Sequence, residues 1–246
     1  MRTETHQVYL SLIIPAFNEE ARIGESLDRA LTFLRCQSYS FELIVVDDGS
    51  QDRTEALVRE RIGEDPGLRI CRQSRNMGKG EAVKQGMLVA KGEYLFFSDA
   101  DLSVPIETLP VFLDHLENRF DVTIGSRQKA GSRIEVHQPH YRELLGKTYT
   151  RLCNRILGLR VSDFTCGFKG FRRAAARDLF SRQRLKVWSF DAEILYLAQL
   201  RGYRVLEVPV TWRNDRSTKV KLWRDLFTSF VELLQIRLCD YLGRYQ

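Results

Sequence analysis

The chain has 246 residues, 43% of them hydrophobic and 28% charged. That suffices for a full core and excludes a disordered, collagenous or disulfide-stapled class. The formal net charge is +6, unevenly spread: residues 1–125 carry 14 basic against 21 acidic side chains, and residues 126–246 carry 24 against 11.

The second half is therefore strongly basic, as expected of a surface that meets phosphates, a nucleic acid or an acidic membrane. Five cysteines (Cys36, Cys71, Cys153, Cys166, Cys239) form no C-x-x-C pair. An odd count suits the reducing cytoplasm better than a disulfide framework. The opening residues MRTETHQVYLSLIIP hold no long apolar run, so neither a signal peptide nor a membrane anchor is expected there. No segment reaches about 18 uninterrupted apolar residues, so none is expected to span a bilayer.

In chain order, a strand is predicted over 8–14, ended by Pro15. Asn18 is the expected N-cap of a helix running to about Arg35, with Glu19 and Glu20 in its first turn. Ile23, Leu27, Ala30, Leu31 and Leu34 would form its buried face. A second strand over 41–46 ends in Asp47-Asp48-Gly49-Ser50, and Asp52 caps the helix after it. Alternation of strand, loop and helix, with acidic strand ends, predicts βαβ units and a parallel sheet.

A third strand over 68–71 leads into SRNMGKGEAVKQGM. Gly78 and Gly80 would let backbone approach a ligand, and Lys79 offers a point charge to a phosphate. A glycine-rich turn before a helix over 81–90 explains the same residues equally well. The spacing is neither a Walker A loop nor G-x-G-x-x-G.

The stretch YLFFSDADLSVPIE organises the rest. Tyr94 to Phe97 suit a buried strand, and Asp99 and Asp101 follow it. In an extended segment side chains at i and i+2 point the same way. Both carboxylates would then converge past the carboxyl end of the strand, where open α/β sheets bind ligands. Two carboxylates held together repel unless a proton or cation lies between them. Mg²⁺ or Mn²⁺, which takes oxygen ligands and substrate phosphates, fits best; a polar loop is the alternative.

A helix is predicted over 105–118 with Pro105 at its first position, then a strand over 121–125 and Ser126-Arg127. Residues 128–141 show no periodicity and predict a mobile loop over the site. Its His137 and His140 could ligate metal or simply be solvated. An amphipathic helix over 142–157 precedes DFTCGFKGF, and further helices are predicted near 173–180 and 191–200. A strand over 203–210 leads through Trp212 to a basic loop at 213–219. The tail over 220–245 reads as a basic amphipathic helix, with Leu222, Leu226, Phe230, Leu233, Leu234 and Ile236 on one side. Such a helix can lie in a membrane interface, pack on the domain or meet a second copy in a homodimer.

Taken in order, IPAFNEE, VVDDGSQD, RNMGKGEAV, SDADLS, GSR, DFTCGFKGF, WSFDAEIL and VPVTW-x₆-K resemble family 2 glycosyltransferases. Within them the resemblance is to the dolichyl-phosphate β-glucosyltransferases, cousins of the dolichol-phosphate mannose synthases. It implies a GT-A fold: α/β, Rossmann-like, a mostly parallel central sheet with helices on both faces. Residues 1–219 would be the catalytic domain, with 1–125 the nucleotide-binding half and 126–219 the acceptor half, and 220–246 an amphipathic helix. It further implies a Mg²⁺- or Mn²⁺-dependent, inverting transfer of a sugar. The donor would be a nucleoside diphosphate sugar, UDP-glucose or alternatively GDP-mannose. The acceptor would be a polyprenyl or dolichyl phosphate at the cytoplasmic membrane face, or alternatively a soluble or protein acceptor.

By the same resemblance Pro15, Ala16, Glu19 and Asp48 surround the uracil and ribose, and Lys79 lies near the nucleotide. Asp99, Ala100 and Asp101 meet metal and diphosphate, with Ser103 where mannose synthases carry a third metal ligand. Arg127 and Lys219 would hold phosphates and Asp163 would lie near the transferred sugar, orienting or desolvating the acceptor. Trp188, Asp191 and Glu193 would shape the sugar pocket. The eukaryotic relatives carry an N-terminal membrane span and this sequence shows none, so peripheral contact through the helices at 142–157 and 220–245 is expected. Nucleic-acid binding is disfavoured, because acidic strand ends would repel a polyanion.

Overall fold

The computed structural model describes residues 8–63, 65, 67–213 and 222–245, the side chains of 222–227 excepted. Seven strands form one sheet in the order β3-β2-β1-β4-β7-β5-β8. They are β1 (Leu10–Ala16), β2 (Phe41–Asp47), β3 (Leu68–Arg72), β4 (Tyr94–Ser98), β5 (Val122–Ser126), β7 (Phe168–Arg172) and β8 (Val205–Pro209). All neighbours run parallel except β7, which lies antiparallel between β4 and β5. The architecture is thus the expected mostly parallel α/β sheet.

Helices cover both faces, as continuous apolar strands require. One core unites Ile13, Val46 and Phe97 with residues of α3 (Lys79–Val89), α6 (Arg173–Arg182), α7 (Phe190–Leu200) and α8 (Leu222–Tyr241). The opposite core unites Leu12, Ile14 and Phe96 with α1 (Ile23–Arg35) and α4 (Leu109–Asn118). Among the described residues α2 (Thr54–Ile62) and α5 (His140–Leu157) are the remaining α-helices, and β6 (Arg133–Val136) pairs with β9 (Thr211–Arg213) in a second, two-stranded sheet.

Several expectations need correction. β1 continues through Pro15 to Ala16. Its pairing with β4 ends at Ile13, while Ala16 still accepts from the Asp48 N–H on the β2 side. Pro15 therefore faces a flank where its missing N–H is not needed. Asn18 is not a helix cap: it sits at φ 54° in a loop, and α1 begins at Ile23. Glu19 and Glu20 precede the helix; its predicted apolar face is buried as expected. α3 begins at Lys79, earlier than expected, which places that lysine in the first turn.

The stretch 128–141 is not an aperiodic loop: it contributes β6 and the start of α5. β7 covers the end of DFTCGFKGF and Arg172, a strand that the sequence pattern does not predict. The predicted helix at 105–118 is a short 3₁₀ turn, Ile106–Thr108, followed by α4. Gly125 lies within β5, a strand of the chain's shared sheet.

α8 packs inward through Leu233, Ile236 and Cys239, whereas Phe230 and Leu234, expected on the same side, are exposed. No helix among the described residues is long and apolar enough to cross a membrane. All five cysteines are unpaired.

Candidate functional site

Because β1, β2 and β4 are parallel, their carboxyl ends open on one edge of the sheet. The antiparallel β7 begins at that edge, with Phe168 opposite Ser98. Asp47 closes β2 and Asp48 follows it, Asp99 and Asp101 follow β4, and Arg127 follows β5. Burial of the strands thus delivers five charged residues to one rim.

Asp99 and Asp101 lie together, but not by the extended geometry expected. β4 ends at Ser98, and Asp99 to Leu102 form a tight turn closed by the Leu102 N–H donating to the Asp99 carbonyl (3.1 Å). Leu102 takes a left-handed φ of 46°, a strained conformation for a branched side chain. The Asp101 carboxylate accepts from the Ser103 N–H at 2.9 Å, and Arg22 stands 4.0 Å from its other oxygen. Burial and the neighbouring Asp99 charge push the Asp101 carboxyl above its usual range, against the opposing Ser103 bonds. Ala100 is buried between the pair.

Lys79 reaches the turn from α3, its Nζ 2.5 Å from Asp99 Oδ1. Burial works against its charge, but the carboxylates of Asp99 and Asp191 outweigh that and raise its pKa above the ordinary lysine value. Asp48 fixes the approach: its two oxygens accept from the Met77 N–H (2.6 Å) and the Gly78 N–H (2.9 Å). Burial, opposed by those two amides, raises the Asp48 carboxyl. Gly78 takes φ 104°, which admits glycine readily and little else.

On the β1 side, Pro15 and Ala16 line the rim. Glu19 pairs with Arg22, and its N–H donates to Thr54 Oγ1 (2.7 Å). The loops after β1 and β2 interlock, since Asn18 donates to Ser50 and accepts from the Gln51 N–H. An open cleft of about 450 Å³ lies there, lined by Asn18, Glu20, Ala21, Gln51 and Asp52. Asp52 is not the cap of α2, whose N-cap position is Arg53; its carboxylate accepts from the Thr54 N–H (2.9 Å) from one residue further out.

Across the rim, Arg127 and Asp163 form one unit. Arg127 Nε and Nη2 donate to the two oxygens of Asp163 at 2.7 and 2.8 Å, and its backbone N–H donates at 3.0 Å. The guanidinium also bonds Thr165 and lies 5.2 Å from the centre of the Trp212 ring. Burial alone would raise the Asp163 carboxyl, but the Arg127 charge prevails and holds it below the usual carboxylate value.

Of the three residues expected around the sugar, Trp188 is 38% exposed at the rim. Asp191 is buried against Lys169. Glu193 is fully buried and accepts from the Arg184 and Leu185 amides and the Tyr245 hydroxyl, so it ties the 184–185 segment to the end of the chain. Lys219 and the loop around it lie outside the described residues. His137 pairs with Glu143 and His140 opens α5. Among the described residues no cluster of three or more His, Cys, Asp or Glu could hold a metal.

Sequence reasoning missed two residues. Gly167 accepts from the Asp99 N–H through its carbonyl (3.1 Å), and a β-carbon there would stand 1.9 Å from Asp99 Oδ2. Lys169, on β7, is 1% exposed beneath the site. Flanking aromatics in GFKGF were the only hint that this segment runs through the core.

Residues 11–180 match the family described as Glycosyl transferase family 2. The chain is 36% identical over 246 residues to a dolichyl-phosphate beta-glucosyltransferase of Drosophila melanogaster, covering 92% of this chain and 75% of that protein. It is 31% identical over 251 residues to the Homo sapiens protein of the same name, covering 96% and 77%. Its fold matches glucosyl-3-phosphoglycerate synthase from Mycobacterium tuberculosis in complex with Mn²⁺, UDP and glucosyl-3-phosphoglycerate. The TM-score is 0.69 at 21% identity, covering 94% of this chain and 80% of that one. A complex of that synthase with Mn²⁺, UDP-glucose and phosphoglyceric acid matches at 0.69 and 20% identity, covering 97% and 80%.

Proposed function

We propose, from the premise that the chain belongs to glycosyl transferase family 2 and has the GT-A fold, that it moves glucose from UDP-glucose to a polyprenyl phosphate with the help of a divalent ion. The observation that carries this reading is the turn holding Asp99 and Asp101 beside Lys79 at the sheet edge. The similar relatives are named dolichyl-phosphate beta-glucosyltransferases.

The residues present fit a hard cation. Both donors are carboxylate oxygens, and burial together with the neighbouring Asp99 charge raises the Asp101 carboxyl, a cost to its ionised form that a cation would relieve. Asp99 and Asp101 would hold the ion, with Ser103 beside them and donor phosphates completing the shell. When bound, Mg²⁺ or Mn²⁺ neutralises charge that grows on a departing diphosphate.

The chain's own groups supply the rest. Lys79 and the amino end of α3 offer positive charge to the diphosphate. Pro15, Ala16, Glu19 and Asp48 border the nucleoside, and Trp188 the sugar. A phosphate acceptor is already an anionic nucleophile near neutral pH, so no side chain need remove a proton. Asp163 matches that demand: held ionised by Arg127, it is a poor base but a rigid strut. Arg127 keeps its donors fixed at the rim, where with Lys219 it would offset repulsion between acceptor phosphate and donor diphosphate.

The lipid acceptor is supported by the outward faces of two helices. α8 exposes Phe230, Val231, Leu234 and Leu238, and α5 exposes Lys147, Arg151 and Arg155. An apolar stripe beside a basic one suits peripheral contact with an anionic, cytoplasmic membrane face. The fold neighbours' complexes with phosphoglyceric acid favour a second reading, a small phosphorylated acceptor.

The test offers labelled UDP-glucose and GDP-mannose to a short polyprenyl phosphate or to 3-phosphoglycerate, with Mn²⁺ or with EDTA. Label should enter the lipid from UDP-glucose only, and only with Mn²⁺. Label in 3-phosphoglycerate alone would replace the lipid reading, and label from GDP-mannose alone the glucose reading.

A further inference from the structure

α8 carries a carboxylate at a buried position, where an apolar side chain would be the default. Glu232 is 8% exposed, and Leu233 beside it is fully buried. Burying a carboxylate is costly unless it is hydrogen-bonded. Glu232 Oε2 accepts from the Ser189 N–H at 3.1 Å, the amide that joins Ser189 to Trp188. Ser189 is itself buried, and its hydroxyl meets two further groups. The Tyr149 hydroxyl of α5 stands 3.2 Å away and the Ser229 carbonyl of α8 3.5 Å.

The other end of the same segment is pinned in the same way. Glu193 accepts from the amides of Arg184 and Leu185, and the Tyr245 hydroxyl donates to it at 2.6 Å. Between the two carboxylates the backbone presses on the start of α3. The Lys186 carbonyl accepts from the Glu81 N–H at 3.1 Å, and β-carbons on Gly78 and Gly80 would stand 2.5 and 2.9 Å from its oxygen. The space that these two glycines leave open is thus filled by the chain's own Lys186 carbonyl. Fastened at both ends and in the middle, residues 184–189 still leave Trp188 38% exposed at the rim. Backbone locked by hydrogen bonds from outside, with one aromatic side chain left open, is how a binding surface is held in place.

We infer that Glu232 is a positioning residue for the donor sugar: through the Ser189 amide it fixes Trp188, and it does so from the helix proposed to meet lipid. This rests on the proposed place of Trp188 beside the sugar of UDP-glucose. Glu232 acts only through the Ser189 amide. Without its acceptor the Ser189 N–H would turn to water or to another partner, and Trp188 would move with it. The loss falls on the glucosyl group and spares the nucleoside, which in the same reading is bordered by Pro15, Ala16, Glu19 and Asp48.

The test measures the affinities for UDP-glucose and for UDP by calorimetry in the presence of Mn²⁺. Glu232→Ala should weaken UDP-glucose about tenfold and UDP less than about twofold. In a Trp188→Ala background the same change should weaken UDP-glucose less than about twofold, because its route to the sugar is gone. Glu232→Gln, whose amide oxygen can accept the same N–H, should retain most of the affinity. Equal weakening of both nucleotides would mean a merely structural role and overturn the inference. Undiminished UDP-glucose affinity, or the same loss in the Trp188→Ala background, would overturn it too. Failure of the wild-type chain to bind UDP-glucose, or intact binding in Trp188→Ala, would instead remove the reading it rests on, and the inference with it. Thermal melts check folding; if Glu232→Ala unfolds, Glu232→Asp, which keeps the charge but draws it back from Ser189 by one methylene, serves in the same cycle.

Discussion

Gly167 decides where Asp99 can stand. With a β-carbon 1.9 Å from Asp99 Oδ2, Gly167→Ala must displace the carboxylate or the backbone beside it. A shift of about 1 Å at reacting groups costs on the order of a hundredfold in rate, and overpacking costs about 1–3 kcal/mol in stability. Transfer by Gly167→Ala should therefore fall about a hundredfold while the chain stays folded; wild-type turnover would refute the placement. Asp163 sets a pH dependence. Its folded carboxyl titrates below the unfolded value of about 3.9, so the stability it contributes is complete above about pH 4 and is lost as pH falls further. Asp163→Asn leaves Arg127 without its charge partner and should cost about 3 kcal/mol at neutral pH. Its melting temperature should also fall less steeply below pH 4 than the wild type's. Parallel acid limbs in thermal melts would contradict the pairing. Asp99 and Asp101 were legible from residue order alone. Lys169 was not, because burial of a lysine is decided by a strand that only long-range pairing creates.

Among the elements, those stabilised by local pattern were legible and those stabilised by distant partners were not. β1, β2 and β4 are apolar runs with acidic ends, and the inward face of α1 follows its helical period. β7 carries Lys169 and Gly170 amid aromatics, and it is a strand because β4 and β5 clasp it from both sides. β6 forms because β9 lies beside it, some eighty residues on. The start of α1 was misplaced for a similar reason: Asn18 bonds Ser50 and Gln51 across the rim rather than the amides of its own helix. α8 was legible as a helix but not in orientation, since apolar residues occupy both its faces. Leu233 and Ile236 are buried, while Leu234 and Leu238 are 48% and 55% exposed. Leu234→Glu with Leu238→Glu should thus leave the melting temperature nearly unchanged and abolish salt-sensitive sedimentation with anionic vesicles. Undiminished sedimentation would move the membrane contact elsewhere, and a change from dimer to monomer on the double substitution would assign this face to a second copy.

For the whole molecule, the charge imbalance acquires a geometry. The acidic first half ends its strands at the rim with Asp48, Asp99 and Asp101, and the basic second half supplies Arg127 and the exposed face of α5. Opposed charges of this kind suit a cation and phosphates meeting at one edge of a shared sheet. Turnover should accordingly vanish in EDTA and return with Mn²⁺ in the wild-type chain, but not return in Asp101→Ala, measured as label transferred from UDP-glucose. The most direct measurement is the anomalous scattering of Mn²⁺ in a crystal of the chain with UDP-glucose. The account predicts a peak between the carboxylates of Asp99 and Asp101, with the diphosphate against Lys79. A peak elsewhere, with both carboxylates turned to solvent, would contradict it.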